Sequence, residues 1–396
     1  MNPEAFRQSP SGRVTRAQGG YWAFVPNPLP PPLEWTPGLI ARLSDADRAL
    51  GELAGLGRSL LNPHLLIMPF VRREAVLSSR IEGTQASLSD LYAYEAAQPP
   101  KAEPATGLRE VANYVRAMEY ARDRLQSLPL SLRLIREIHA KLMEGVRGEH
   151  QTPGEFRRSQ SWIGPPGCVL NDATFVPPPV TEMHQALDAF ERFLYTEPSL
   201  PPLIRLGLIH YQFETIHPFM DGNGRIGRLL VTMLMTAWDL LPGPLLYLSA
   251  FFEAHRQAYY DLLLAVSERG AWQEWLAFFL RGVASQALDG VARSRRLQDL
   301  REQYRGRFQT TRASARLLKA VDFLFARPVL AVRQLSEALV IPRDAAHRYV
   351  NRLEEAGILR EMTGRGRNRL YVADEVIEAI QAPVQPTADA ARGEAQ

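Results

Sequence analysis

The stretch HPFMDGNGRIGR, residues 217–228, decides how the rest of the chain is interpreted. Apolar residues recur with helical spacing at about 202–216, and the same periodicity returns at 225–239, so the stretch is a glycine-rich loop between two helices. Glycine lets a backbone approach a ligand closely, and the N-terminus of a helix offers unpaired N–H groups to an anion. The loop therefore predicts an anion-binding site.

The side chains of this loop indicate what kind of anion is bound. Arg225 and Arg228 lie three residues apart, on one face of the first helical turn, and two guanidinium groups suit a polyphosphate. Asp221 offers the hard oxygen ligand that Mg²⁺ prefers, and His217 can accept a proton near neutral pH. Taken singly, each residue has an ordinary explanation as a helix cap, a turn or a solvated charge, but together they predict nucleotide-dependent group transfer.

Two common nucleotide-binding motifs do not fit this loop. It lacks the Lys-Ser/Thr pair of a Walker A loop, and no strand precedes it as in a dinucleotide-binding fold. Instead it resembles the signature of the Fic family, within the Fic/Doc superfamily, and matches that signature at every fixed position. The resemblance implies an all-α Fic core that transfers AMP from ATP to a Ser, Thr or Tyr hydroxyl of a target protein.

The resemblance also implies a role for each residue of the loop. His217 is the general base, Asp221 holds Mg²⁺ on the phosphates of ATP, and Phe219 anchors the loop in the core. Arg228 reaches the γ-phosphate. The remaining phosphate-binding residues implied are Gly222, Asn223, Gly224 and Arg225.

A second match, SSRIEG at residues 78–83, resembles the inhibitory motif of the family. Ser78 and Glu82 are one helical turn apart and share a face. By the resemblance, Glu82 pairs with Arg228 and keeps ATP in a non-productive pose. A helix cap or a surface glutamate is the alternative explanation. In some relatives this glutamate also supports removal of AMP, and the sequence leaves the direction of the reaction open.

Two further regions resemble parts of a Fic protein. Residues 154–179 resemble the flap: 161–163 and 174–176 have β-like composition around a turn at 164–167, which predicts a hairpin or an ordinary covered loop. A hairpin edge there would receive a target protein by strand addition. Tyr259 and Tyr260 resemble residues of the C-terminal core helices, where one of them contacts adenine or both are core.

The C-terminal third is basic, with 18 Lys and Arg against 8 Asp and Glu between Arg293 and Tyr371. Helices at 312–326, 333–339 and 343–356, followed by two short strands, predict a winged helix-turn-helix. Its exposed positions could contact DNA, a protein partner or only water. The basic residues concerned are Arg343, His347, Arg348 and Arg352 on the second helix of the motif and Arg365, Arg367 and Arg369 on the wing.

The predicted fold class is mainly α, with a Fic helical core, a small β-hairpin flap and a C-terminal winged helix. The predicted segments are an N-terminal arm and inhibitory-helix region (1–105), a catalytic core (106–290), a linker helix with the winged helix (291–380) and a disordered tail (381–396). The single cysteine, Cys168, excludes an internal disulfide, and together with a polar N-terminus and no long apolar stretch it predicts a cytoplasmic protein that does not enter a membrane.

The sequence is therefore compatible with three functions. The first is a protein adenylyltransferase restrained by Glu82, with ATP as substrate, Mg²⁺ as cofactor, a target docked at the flap, and self-modification and a homodimer allowed by the resemblance. The second is a DNA-binding regulator whose Fic core senses a nucleotide without turnover. The third is removal of AMP from a modified target.

Overall fold

The computed structural model describes residues 1–59, 64–97, 106–146, 152–196, 199–309 and 315–382. The helices are α1 (Pro37–Ser59), α2 (His64–Ile81), α3 (Leu88–Ala96), α4 (Thr106–Arg124), α5 (Leu132–Leu142), α6 (Val180–Tyr195), α7 (Pro202–Ile216), α8 (Asn223–Ala237), α9 (Ser249–Ala254), α10 (Arg256–Arg269), α11 (Trp272–Gln309), α12 (Ala315–Ala326), α13 (Val332–Leu339), α14 (Arg343–Glu355) and α15 (Asp374–Gln381). The strands are β1 (Gly12–Arg16), β2 (Trp22–Pro26), β3 (Val329–Ala331), β4 (Arg360–Glu361) and β5 (Leu370–Val372). The disordered tail is predicted at 381–396, and its residues beyond Ala382 lie outside the described part of the chain.

The predicted mainly helical fold is confirmed, and α7 and α8 form its centre. Nearly every residue of α7 is buried and most of them are apolar, which is the pattern of a helix enclosed on all sides. Pro202 starts α7 at a position where its missing N–H costs nothing. The helix ends at His217, whose φ of 49° reverses the chain, and α8 begins after Gly222, whose φ of 80° suits glycine.

Three helix boundaries differ from those predicted. The proline at 69 predicts a helix that begins there, but Pro69 lies inside α2, which begins at His64. The apolar spacing at 251–268 predicts one helix, and the structure divides it between α9 and α10 at His255. The spacing also predicts separate helices at 271–287 and 290–305, and these form the single helix α11, which packs along α1 and runs across the predicted boundary at residue 290.

The flap has less strand structure than the sequence predicted. Its two arms form one antiparallel pair, in which the backbone N–H of Ile163 and that of Phe175 each donate to the other residue's carbonyl, at 2.8 and 3.0 Å. Prolines at 165, 166 and 177–179 remove the donors that a longer ladder would need.

The N-terminal arm, expected to be extended, forms the β1–β2 hairpin and lies against the flap. The backbone N–H of Phe24 in β2 donates to the carbonyl of Val176 at 2.9 Å. The rings of Phe6, Phe24 and Phe175 pack together with centroids about 6 Å apart. The arm is therefore part of the wall behind the flap.

The C-terminal segment has the predicted order of elements, and β3, β5 and β4 form an antiparallel sheet in that spatial order. Its assignment as a winged helix stays a prediction. The segment is not separated from the rest of the chain: α12 packs on α2, and Gln334 of α13 donates to the carbonyl of Glu95 in α3 at 3.0 Å. One continuous apolar core runs from α1 to α15.

No helix within the described ranges combines the length and the apolar composition that a membrane span requires.

We expect this shared core to unfold in one cooperative transition. Leu324 of α12 is fully buried in the cluster, so Leu324→Ala should lower the free energy of unfolding by about 2–5 kcal/mol. Leu288→Ala on α11 is the matched control: its side chain is 46% exposed, and the change should cost less than about 0.5 kcal/mol. Urea unfolding followed by circular dichroism measures both, and a separate early transition of the C-terminal segment in Leu324→Ala would contradict the shared core.

Candidate active site

The loop between α7 and α8 is closed by the side chain of Asn223. Its Oδ1 accepts the backbone N–H of Phe219 at 2.9 Å, and its Nδ2 donates to the carbonyl of Phe219 at 2.8 Å. Phe219 is buried, and its ring stacks on the ring of His139 with centroids 3.8 Å apart. Both the oxygen and the nitrogen of the Asn223 amide are therefore bound to the backbone of Phe219, which closes the loop and fixes the start of α8.

His217 lies at the C-terminal end of α7, and within the described residues no hydrogen bond involves its Nε2. Its Nδ1 is 3.3 Å from the carbonyl of Glu214, and a carbonyl can only accept, so Nδ1 carries the proton and Nε2 carries the lone pair. Burial, helped by the charge of Arg157, lowers the pKa of His217 to about 4. The imidazole is neutral at physiological pH and able to accept a proton.

Arg225 and Arg228 are both buried on the first two turns of α8. Within the described residues, Nε and Nη1 of Arg225 have no hydrogen-bond acceptor, although Nη1 lies 3.5 Å from Oε2 of Glu110 and Nη2 lies 3.5 Å from Oδ1 of Asp221. The first N–H groups of α8 also have no partner inside the helix. The tip of α8 is thus a positively charged site with unused donors.

The structure places Ser78 and Glu82 against Arg228. Nε of Arg228 donates to Oγ of Ser78 at 2.9 Å, and Nη2 donates to the Ser78 carbonyl at 3.0 Å and to Oε1 of Glu82 at 2.7 Å. A methyl group added at Gly224 would lie 2.4 Å from that same Oε1, so the carboxylate rests directly on the helix tip. Ser78 is buried, whereas the side chain of Glu82 keeps 36% of its surface exposed.

The charges of this pair stabilise each other. Burial alone would raise the pKa of Glu82, but the charge and hydrogen bond of Arg228 outweigh it and hold that pKa below its usual value. Burial would likewise lower the pKa of Arg228, and the carboxylate of Glu82 raises it instead. Both groups are therefore ionised at neutral pH.

Asp221 is placed where a metal bound with phosphates could reach it. Its side chain is 43% exposed, and Oδ1 accepts the backbone N–H of Gly222 at 2.6 Å. Within the described chain no cluster of three His, Cys, Asp or Glu could enclose a metal ion. A single accessible carboxylate beside a phosphate site fits Mg²⁺, which binds through one or two carboxylates, substrate phosphates and water.

The two tyrosines predicted to contact the nucleotide have different environments. Tyr259 is buried, and its hydroxyl lies 2.8 Å from Nε2 of His210, a histidine whose ring stacks with Trp275 in the core. The ring of Tyr260 is 39% exposed beside the guanidinium of Arg256. The role of the pair in binding adenine stays a prediction, and Tyr260 has the accessible ring.

Four residues around the site were not assigned roles from the sequence. His139 accepts the Gly154 N–H at Nδ1 (2.9 Å), so its Nε2 carries the proton that it donates to the Asp221 carbonyl at 3.0 Å. Arg157 contacts the His217 carbonyl. Two buried glutamates complete the set, Glu74 and Glu214. These contacts join segments far apart in the chain, and only Arg157 had a sequence signal, because GEFR at 154–157 is part of the stretch that resembles the flap.

The buried glutamates are weak acids in this environment. Burial, opposed by the charge of Arg228, raises the pKa of Glu214 to about 8. Burial, opposed by a hydrogen bond from Ser249 and then by the charge of Arg228, raises the pKa of Glu74 to about 7. At neutral pH Glu214 is therefore mostly protonated and Glu74 is partly ionised, whereas Glu82, which pairs directly with Arg228, is ionised.

Two family models match the chain: the Fic/DOC family N-terminal model over residues 40–123 and the Fic/DOC family model over residues 129–235. Among curated proteins, the protein adenylyltransferase Fic of Drosophila grimshawi and that of Drosophila virilis are each 38% identical over 125 residues. Each match covers 31% of this chain and 24% of the relative, so the chain spans about a quarter of the length of these relatives.

A solved structure agrees with the fold. The crystal structure of a Fic family protein from Desulfovibrio desulfuricans G20 superposes with a TM-score of 0.56 and 21% sequence identity, and the match covers 90% of this chain and 100% of that one. At this identity the likeness concerns the fold alone. The two matching family models show that the chain contains a Fic/DOC family N-terminal region at residues 40–123 and a Fic/DOC family domain at residues 129–235, which holds the loop at 217–228.

Proposed function

We propose that the protein is an adenylyltransferase that transfers AMP from ATP to a Ser, Thr or Tyr hydroxyl of a target protein. One observation carries the proposal: a neutral His217 with a free Nε2 lies beside a helix tip with the buried guanidinium groups of Arg225 and Arg228. A base next to a polyphosphate site is what nucleotidyl transfer to a hydroxyl needs. The curated relatives carry the same activity in their names.

The proposed reaction balances with these groups. The target hydroxyl oxygen forms a bond to the α-phosphorus of ATP, the bond from that phosphorus to the bridging oxygen breaks, and diphosphate leaves. Nε2 of His217 takes the hydroxyl proton. The N–H groups at the start of α8 and the guanidinium of Arg225 hold the phosphates. Mg²⁺, held by Asp221 and the phosphates, would supply positive charge as the leaving group forms.

Glu82 is proposed to restrain this reaction. Its carboxylate pairs with Arg228 at 2.7 Å and rests on the tip of α8. An arginine already paired with a carboxylate cannot also bind the γ-phosphate, and a second negative charge there repels the triphosphate. ATP therefore binds in a productive pose only after Glu82 has moved away.

The target protein is proposed to dock at the flap. Three apolar side chains of this segment are exposed: Trp162, Ile163 and Val169. Exposed apolar groups at a strand edge favour strand addition by an extended peptide. Self-modification at a flexible site and a homodimer, both suggested by the resemblance, belong to this proposal as well.

We expect the three proposed roles to separate in a labelling experiment. The full chain is incubated with Mg²⁺ and ATP labelled at the α-phosphate, and label on the protein is counted. Glu82→Gly should increase self-labelling about 5- to 150-fold, the range typical of a coupling between two sites. Adding His217→Ala should then reduce it about 10²- to 10⁴-fold, because the base is lost.

A matched control separates inhibition from a general loosening of a helix end. Glu355→Gly makes the same substitution at the exposed C-terminal residue of α14 and should leave labelling unchanged. Equal labelling in wild type, Glu82→Gly and the double variant would contradict both the inhibitory role of Glu82 and the role of His217 as the base. Faster release of AMP from a pre-modified protein than its addition would instead make AMP removal the main activity.

The exposed basic surface of the C-terminal segment favours a second candidate function, DNA binding. Arg343 and Arg348 on α14 and Arg365 and Arg367 on the wing are exposed, and no ion pair involves them within the described residues. Unpaired arginines on a helix and an adjacent loop are suited to the phosphates of a duplex. In this function the Fic core senses a nucleotide without turnover.

Salt-dependent DNA binding tests this candidate. The affinity for a fluorescent DNA duplex of mixed sequence is measured by anisotropy over a range of salt concentrations. If the surface binds DNA, Arg348→Ala and Arg367→Ala should each reduce the salt slope by about one. Arg133→Ala, an exposed arginine on α5, should change nothing. Binding that is the same in all three variants would exclude this surface, and sequence-selective binding without any labelling by Glu82→Gly would favour the regulator.

A further inference from the structure

Arg157 joins the loop of His217 to the flap. Its Nε donates to the His217 carbonyl at 2.9 Å, and its backbone N–H donates to the Pro218 carbonyl at 2.8 Å. On the flap side, Nη1 donates to the Ser159 carbonyl at 3.2 Å, and Nη2 donates to the Pro178 carbonyl. One side chain therefore ties the end of α7 to both arms of the flap.

This guanidinium is buried without a carboxylate partner. Arg157 is 1% exposed, all of its hydrogen bonds go to backbone carbonyls, and no carboxylate in the described chain lies within 4.0 Å of it. Burial lowers its pKa to about 10, so it is still charged at neutral pH. An isolated buried charge is costly and an apolar side chain would be the cheaper way to fill the space. Its presence beside His217 therefore calls for an explanation in the chemistry of the site.

His217 needs such a contact because its backbone is in the left-handed region, at φ 49°. A non-glycine residue pays about 1–2 kcal/mol for this conformation. The bond from Nε of Arg157 to the His217 carbonyl compensates for that cost and fixes the plane of the peptide that follows. The direction of the imidazole depends on this backbone, since the ring is two bonds away from it.

The fixed charge of Arg157 also acts on the imidazole. The other charged or titratable groups that face His217 are Glu82 from the end of α2, Glu214 from its own helix and, through Glu82, Arg228. Glu82 raises the pKa of His217, and Arg157 lowers it. Tyr21 of the N-terminal hairpin faces Arg157 and is a neutral phenol at physiological pH, since burial raises its pKa.

We propose that Arg157 is a positioning residue, which holds His217 in its reactive orientation, ties that orientation to the flap, and places a fixed positive charge beside the imidazole. The kinetic part of this inference rests on the proposed adenylyl transfer, whereas the part that concerns the imidazole does not. The charge makes a protonated imidazole less favourable, so His217 remains a proton acceptor at lower pH than an ordinary histidine.

Two substitutions of Arg157 separate the effect of its charge from the effect of its hydrogen bonds to the backbone carbonyls. Arg157→Met removes the charge and all side-chain donors, while Arg157→Lys keeps a charge but cannot fork to three carbonyls. In the Glu82→Gly background, both variants should lower kcat with little change in KM for ATP, because Arg157 does not contact the helix tip. Only Arg157→Met should move the acidic limb of the kcat/KM profile upward, by about one pH unit, since loss of a nearby cation raises the pKa of His217.

Arg205→Met is the matched structural control. Arg205 is also a buried arginine whose hydrogen bonds go only to backbone carbonyls, those of Phe193 and Thr196, and it lies away from the loop. The control should lose stability in urea as Arg157→Met does, yet keep the wild-type pH profile. If Arg205→Met also shifts the acidic limb of the pH profile, the shift results from a general loss of stability and not from the loss of the Arg157 charge.

An NMR titration of the histidine rings keeps the inference testable if the proposed activity is absent. In the wild-type protein, the resonances lost in His217→Gln identify His217, whose pKa should lie well below that of an ordinary histidine. Arg157→Met should raise that pKa and Arg157→Lys should not. An ordinary pKa for His217 in the wild type, or the same pKa in a folded Arg157→Met, would overturn the proposal. If the histidine titrations give the expected pKa values but no variant is labelled, only the proposed adenylyl transfer is contradicted, and the positioning role of Arg157 stands.

Discussion

A buried guanidinium must have an anion or a set of fixed dipoles beside it, and the site of this protein is built on that constraint. Arg228 lies under the tip of α8 with almost no exposure to water, and Ser78 and Glu82 supply its partners. A charge that is taken out of water costs several kcal/mol unless it is paired. Whenever Glu82 leaves, another anion has to replace it, and the triphosphate of a nucleotide has the charge to do so.

The distribution of charge around His217 follows from the same constraint. Arg157, Arg225 and Arg228 are all buried near one imidazole, and Glu82 is the ionised carboxylate set against Arg228. Glu214 is close by, but burial raises its pKa to about 8, so it adds little negative charge at neutral pH. Burial and the charge of Arg157 lower the pKa of the imidazole and keep it unprotonated, and the buried arginines at the start of α8 give the proposed phosphate site its positive charge.

The position of Glu82 depends on packing that lies far from the loop. The helix before it, α2, packs on α4, on α9 and on α12 of the C-terminal segment. Polar contacts add to this packing: Arg72 of α2 forms an ion pair with Glu95 of α3 at 2.7 Å, and the carbonyl of Glu95 accepts from Gln334 of α13. The segment that carries Glu82 is therefore anchored by the same apolar core that joins the C-terminal segment to the rest of the chain.

The sequence by itself determined the loop at 217–228, the helices on either side of it, and the residues that the family signature marks. Local rules were enough there, because the glycines, the helix start after Gly222 and the one-turn spacing of Ser78 and Glu82 are properties of short segments. The sequence did not determine that α11 is one helix, that the flap is reduced to a single pair, or that Tyr259 is buried against His210. Nor did it reveal the contacts of His139 and Arg157, which join segments that are distant in the chain. Only the tertiary structure decided these, because burial, the loss of solvent around a charge and the meeting of remote backbone carbonyls exist only once the chain has packed.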